Sequence, residues 1–253
     1  MFAVESTQLL NENTKKFSHI QRYLICLGYL VVVFMLLGVI AIIMQALGLS
    51  AQASTEKLKS MNAFDVLGLQ LLQAIAFILP LLIFIKVVPL KLFPWFALPT
   101  PKQWKVASLG YLATYISIVV LFSVIGVKPE QYEDMVIDKG PLSMSVFLLA
   151  IAMVAPILEE VVFRGLILRT LLEGRELGKD QSVIYAILFS GTVFGLMHIS
   201  GANWAALVGV TMLGLFFAFL GAYTRSLFLP IVFHSFHNLW TGVLKVYGPS
   251  IVQ

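Results

Sequence analysis

Apolar runs of about twenty residues alternate with short polar stretches along the whole chain. A run of that length is what a helix needs to cross a bilayer, where a helix satisfies its own backbone hydrogen bonds. The pattern predicts spans at 23–47, 64–85, 106–127, 143–172, 182–199, 204–223 and 227–246. This is an all-α fold, a polytopic transmembrane helical bundle of about seven spans, or eight if a re-entrant helix lies in one connection. Pro80 is expected to kink the second span. Pro156 removes a backbone donor from the fourth, loosening the turn before Glu159. The first run is preceded by about twenty mostly polar residues, unlike a cleavable signal peptide, so the first span is expected to be retained as an anchor. The chain divides into a cytoplasmic N-terminal segment at 1–22, N-terminal transmembrane helices at 23–140 and a polar-residue-bearing core at 141–253.

Composition narrows the class. Hydrophobic residues make up 59% and charged residues 12%, with a mean hydropathy of +0.93, which excludes an ordinary soluble globular protein. The net charge of +4 does not point to nucleic acid, because the basic residues are scattered through short loops and form no stripe. They read as topology signals. With the N-terminus inside, the inner segments hold eleven Lys and Arg and the outer ones five. Cytoplasmic loops carry such an excess, so a multi-pass protein of the cell membrane is expected, with its N-terminus in the cytoplasm and its C-terminus outside. An eighth span would bring both ends inside. The connection 86–105, with Pro94, Pro99, Pro101, Trp95 and Trp104, reads as an interfacial loop. The one at 128–141, with Glu130, Glu133, Asp134 and Asp138, reads as a solvated one. Gly191 and Gly195 form a small-xxx-small pair suited to close helix approach. The single cysteine, Cys26, cannot form an intrachain disulfide and reads as an inert buried thiol.

Against this apolar background, Glu159-Glu160-Val161-Val162-Phe163-Arg164 places two carboxylates and a guanidinium within two helical turns. An ionisable group near the bilayer centre costs about 2.5–3.5 kcal/mol on insertion scales, so these must be paired or line a wet cavity. Glu160 and Arg164, at i and i+4, can pair on one face, leaving Glu159 about 100° around the helix. Three of the chain's four histidines share the same depth range: His198 near the end of span five, and His234 and His237 in span seven with Asn238. Glu159 and His198 are nearly equidistant from Gly178 in the intervening loop, so an antiparallel hairpin brings them to similar depth, about 20 Å from the surface at 1.5 Å per residue. A regular helix leaves His234 only about 12 Å deep, a difference that a bent fourth helix would close.

These residues carry a resemblance. Glu-Glu-x-x-x-Arg at Glu159, Glu160 and Arg164, Phe-x-x-x-His at Phe194 and His198, and His-x-x-x-Asn at His234 and Asn238 resemble, in that order, the CAAX-protease and bacteriocin-processing family of intramembrane proteases. The similarity covers about the last 110 residues. It implies an intramembrane endopeptidase of the CAAX prenyl endopeptidase type. In that scheme Glu159 and His198 activate a water, and His234 and Asn238 stabilise the oxyanion. Glu160 and Arg164 are supporting residues, read from their spacing as a mutually neutralising brace. Chemistry supports such a scheme independently. A carboxylate in a low-dielectric pocket is a stronger general base than an exposed one. Donors held at a developing oxyanion are worth about 10²–10³ in rate each.

The implied partners are a peptide or membrane-protein substrate, lipid-modified or not, and the lipid bilayer; the oligomeric state is open. The expected mechanism uses no cofactor and no metal. A zinc site of Glu159, His198 and His234 stays open as the rival, against which stand the missing helical His-Glu-x-x-His signature and the oxyanion-donor chemistry of Asn238. A transporter should show a repeat or paired broken helices, and neither is found. A non-enzymatic immunity or scaffold protein is the alternative from another class.

Overall fold

The computed structural model describes residues 17–46, 63–87, 96–126, 140–173, 175, 177–199 and 204–251. Within them the chain forms seven helices: α1 His19–Ala46, α2 Ala63–Val87, α3 Pro101–Val124, α4 Pro141–Leu172, α5 Ser182–Leu196, α6 Trp204–Thr224 and α7 Phe228–Ile251. Each predicted span coincides with one helix. Four stretches, His19–Ile43, Pro101–Val124, Pro141–Leu172 and Trp204–Thr224, are long and apolar enough to cross a membrane, and Gln70–Phe84 and Ser182–Leu196 are shorter apolar helices. Large apolar side chains such as Leu109, Leu112, Ile116 and Val120 of α3 point outwards, as a lipid-facing surface requires. The N-terminal residues with Lys15 and Lys16, Pro94 and Trp95 of the interfacial loop, and the acidic residues of the 128–141 connection lie outside the described residues.

The central element, α4, is not a regular helix. Wide π turns at Ala150–Val154 and Val161–Leu168 flank an α-helical stretch, Ala155–Glu160. Pro156 accounts for the first. There the Ala155 amide bonds back five residues to the Ala150 carbonyl, and in that register the Ile151 carbonyl awaits the amide of residue 156, which proline lacks. Asn238 of α7 supplies the donor, its Nδ2 lying 2.9 Å from the Ile151 oxygen. In the second π segment the Phe163 carbonyl accepts from Ser190 Oγ of α5 at 3.0 Å. Both irregular segments are thus tied to neighbouring helices by side-chain donors.

Helices α5 and α6 pack most closely. A Cβ on Gly191 would lie 2.7 Å from the Leu215 backbone, and one on Gly195 would lie 2.0 Å from Thr211 Oγ1. The small-xxx-small pair therefore permits the approach expected of it. Buried side chains of α1, α4, α5 and α6, among them Tyr29, Phe163, Ile167 and Phe194, form the main core. Cys26 is buried there, beside the Ile167 carbonyl. A second cluster joins α3, α6 and α7 through Phe216, Phe217, Leu220, Leu229 and Phe233.

Three arginines from different segments hold the C-terminal end of α4. Arg22 at the start of α1 donates to the Thr170 carbonyl at 3.0 Å and pairs with Glu173. Arg175 donates to the Leu171 carbonyl, and Arg225, after α6, to that of Leu172 at 3.4 Å. Carbonyls of a last helical turn lack i+4 helical donors, and cations there also meet the negative end of the helix dipole. Ser226 Oγ reaches the Ala97 carbonyl at 3.0 Å. The start of α1, the α4–α5 and α6–α7 connections and the segment before α3 therefore meet at one end of the bundle, the grouping on one side that the Lys and Arg count predicts.

Candidate active site

The site forms where α4, α5, α6 and α7 meet. Glu160 is 0% exposed and its Oε1 accepts from Arg164 Nη1 at 2.9 Å, both side chains being sealed from solvent. Arg164 Nη2 donates to the Gly214 carbonyl of α6 at 2.8 Å. The guanidinium carbon lies 4.6 Å from the ring centre of Phe194, 5.6 Å from that of Phe217 and 5.9 Å from that of Phe163. Counter-charge, a backbone oxygen and aromatic faces together replace the hydration that a buried guanidinium gives up. The expected brace is present, and the tight α5–α6 contact delivers one of its partners.

Glu160 Oε1 has another partner, His234 Nδ1 at 2.8 Å. The imidazole stacks on Phe217 with centroids 4.9 Å apart and meets Phe194 edge-on at 5.6 Å. Its other nitrogen, Nε2, lies 3.8 Å from Glu159 Oε2, beyond hydrogen-bonding distance. Glu159 is 8% exposed, so of the two neighbouring carboxyl groups it is the one that solvent can reach. α4, with its two π segments, brings both glutamates to His234, so the three side chains meet despite the depth difference expected of regular helices.

His198 lies in a turn beyond the end of α5, where the prediction continued the helix to residue 199. Its Nδ1 sits 2.8 Å from the Phe194 carbonyl and must donate, since a carbonyl oxygen only accepts. The side chain thereby satisfies a carbonyl at the helix terminus, which explains why the helix stops there. Among the described residues no hydrogen bond or ion pair joins His198 to Glu159. Phe194 lies between the two histidines instead, its ring centre 4.9 Å from that of His198 and 5.6 Å from that of His234. Asn238, half-buried one turn beyond His234, bonds to Ile151 O. His237 turns towards α3, where its Nδ1 is 3.1 Å from the hydroxyl of Tyr111.

Among the described residues no three His, Cys, Asp or Glu side chains converge as a metal-ligand group. The sequence reading missed Phe217, the Gly214 carbonyl and Tyr111. None carries a spacing signal, because each acts from an apolar helix through a ring face, a backbone oxygen or an isolated hydroxyl. It also missed that Pro156 would free the Ile151 carbonyl for Asn238.

The segment that carries these residues is similar to known proteins. Residues 141–240, which contain every site residue expected from the sequence, match the family model described as type II CAAX prenyl endopeptidase Rce1-like. A Bacillus subtilis (strain 168) protein, YdiL, whose name assigns it provisionally to the membrane peptidases, is 26% identical over 145 residues, covering 56% of each chain. The chain thus spans a little over half the length of that relative. No solved structure matches it. Motifs, family model and relative point the same way: the segment bearing the site is similar to the type II CAAX prenyl endopeptidases.

Proposed function

We propose that this protein is an intramembrane endopeptidase of the cell membrane that hydrolyses peptide bonds of membrane-associated or lipid-modified substrates. The observation that carries the reading is the division between the two glutamates. Glu160 is spent on Arg164 and His234, whereas Glu159 retains access to solvent and faces His234 Nε2 across 3.8 Å. A water can lie beside that gap within reach of both groups. Glu159 takes a proton from this water as it attacks the scissile carbonyl, and the proton later goes to the departing amine. His198 shares in activating the water, since donation from Nδ1 leaves Nε2 as an acceptor. His234 and Asn238, on one stripe of α7, serve the tetrahedral intermediate, Asn238 through the amide hydrogen not given to Ile151. The arginine-rich end of the bundle is placed in the cytoplasm, following the excess of basic residues.

No metal enters this scheme, so dialysis of active protein against a chelator leaves turnover unchanged. Lasting loss that zinc restores would overturn that part. The principal test compares the membrane peptidome of cells carrying the wild type or Glu159→Gln at equal protein level. Fragments that depend on Glu159 support the proposal, and identical peptidomes would refute it.

A further inference from the structure

Glu160 is the counter-charge of Arg164 and also the hydrogen-bond partner of His234 Nδ1. We infer that Glu160 is a positioning residue that fixes the tautomer and ring orientation of His234, and so determines which nitrogen His234 presents to the reacting groups. The inference rests on the hydrolytic reading above and adds a role to it.

An ionised carboxylate can only accept hydrogen bonds, so at 2.8 Å from Glu160 Oε1 the Nδ1 of His234 carries the hydrogen. In the neutral ring Nε2 is then the unprotonated nitrogen, and it is Nε2 that faces Glu159. The ring has little freedom to turn, with Phe217 stacked on one face and Phe194 against its edge. Glu160 is held just as firmly, its Oε1 shared with Arg164, which is anchored in turn on the Gly214 carbonyl. The charged and titratable groups facing the ring are Glu159 and Glu160 of α4, while α5 and α6 present Phe194 and Phe217. A carboxylate–imidazole contact that sets the tautomer is also how the aspartate of a serine-protease triad acts.

The tautomer defines the proton's route. A water facing Glu159 and His234 meets two acceptors and can direct one hydrogen to each. As its oxygen bonds to the carbonyl carbon, one O–H bond breaks, and the proton taken by Glu159 passes on to Nε2. A protonated Nε2 then donates to the oxyanion, and that same proton can go to the amine nitrogen as the C–N bond breaks. His234 thus starts as an acceptor and becomes the donor that the family resemblance implies. With the opposite tautomer Nε2 could not accept.

The test separates positioning from bracing. Glu160→Gln alone would strand Arg164, so it is combined with Arg164→Gln, which removes both charges, in the full chain reconstituted in liposomes. Glutamine can turn either its oxygen or its amide towards Nδ1, so it no longer specifies the tautomer. Nitrogen-15 NMR of labelled histidine, at a pH where the rings are neutral, should show the wild-type His234 hydrogen on Nδ1 and a mixture or reversal in the double variant. With an internally quenched transmembrane peptide as probe, the double variant should lose about 10²–10⁴-fold in kcat, the range of a general acid–base group, with KM little changed. A wild-type hydrogen on Nε2, or a folded double variant with wild-type kcat, would overturn the inference. The NMR measurement requires no turnover, so it decides even if the double variant is unstable. A correct tautomer in a protein that hydrolyses nothing would refute the proposed function and leave the positioning intact.

Discussion

The side chain of Asn238 bonds to the carbonyl of Ile151 at 2.9 Å, in the position where the missing amide of Pro156 would have been. A proline in α4 and an asparagine in α7, 82 positions apart in the sequence, thus complete one hydrogen bond. Removing Asn238 leaves a carbonyl unsatisfied in an apolar setting, at a cost of about 1–3 kcal/mol. Asn238→Ala should lower stability by that amount, and Pro156→Ala, which restores an amide, should lessen the penalty. A double-mutant cycle by thermal unfolding in detergent measures the coupling. Additive effects would show that the two residues do not share this carbonyl.

The Glu160–Arg164 pair should behave as an indivisible unit. Breaking a buried pair by removing one partner costs about 3–5 kcal/mol, because the other charge is left stranded. Arg164→Met should therefore destabilise the protein strongly. Arg164→Lys should not rescue it, since an ammonium cannot reproduce the planar fork that reaches Glu160 and Gly214 together or stack as well over Phe194. Glu159→Gln, with no cation to strand, should melt close to wild type. Unfolding profiles of the three variants check this, and equal loss in all three would show that the two glutamates do not divide the work.

Much of this arrangement is legible in the sequence, for definite reasons. Lipid demands apolar helices, so the positions of the seven helices among the described residues can be read from the apolar runs, four of them long and apolar enough to span, and the i, i+4 spacing of Glu160 and Arg164 is enough to pair them. Where the sequence is silent, the missing information is backbone geometry. Regular helices leave His234 shallower than Glu159 and continue α5 through His198, whereas α4 contains π turns at Ala150–Val154 and Val161–Leu168 and His198 lies in a turn beyond α5. The proline hints at the first π turn, but nothing in the composition of 161–168 announces the second. The partner chosen by His234 Nδ1 is equally hidden, because spacing along α4 shows which residues share a face and not which of two adjacent carboxylates a neighbouring helix will meet.

The close contact between α5 and α6 predicts a difference in how two similar substitutions can be rescued. At Gly195 an added methyl first meets the Thr211 hydroxyl, at 2.0 Å. At Gly191 it meets the Leu215 backbone, with Cα and N both at 2.7 Å. Overpacking of this kind costs about 1–3 kcal/mol. Gly195→Ala should be partly rescued by Thr211→Ala, which trims the obstructing group, whereas Gly191→Ala should gain little from Leu215→Ala. Comparing the melting temperatures of the two double variants with those of the single ones tests this, and equal rescue would mean that the helices can slide apart.

Arg225 has a backbone φ of 54°, the left-handed conformation that suits glycine better than any residue with a Cβ. Its guanidinium reaches the last carbonyl of α4, so the position combines an unfavourable backbone with a useful side chain. Arg225→Ala and Arg225→Gly both remove that side chain, but only glycine also relieves the backbone. Glycine should therefore be the more stable of the two by about 1 kcal/mol. A stability ranking of the wild type and both variants in one detergent separates the contributions: the gap between glycine and alanine reports the backbone, and that between wild type and alanine reports the arginine side chain. If alanine equals or exceeds glycine, the left-handed turn is not what constrains this position.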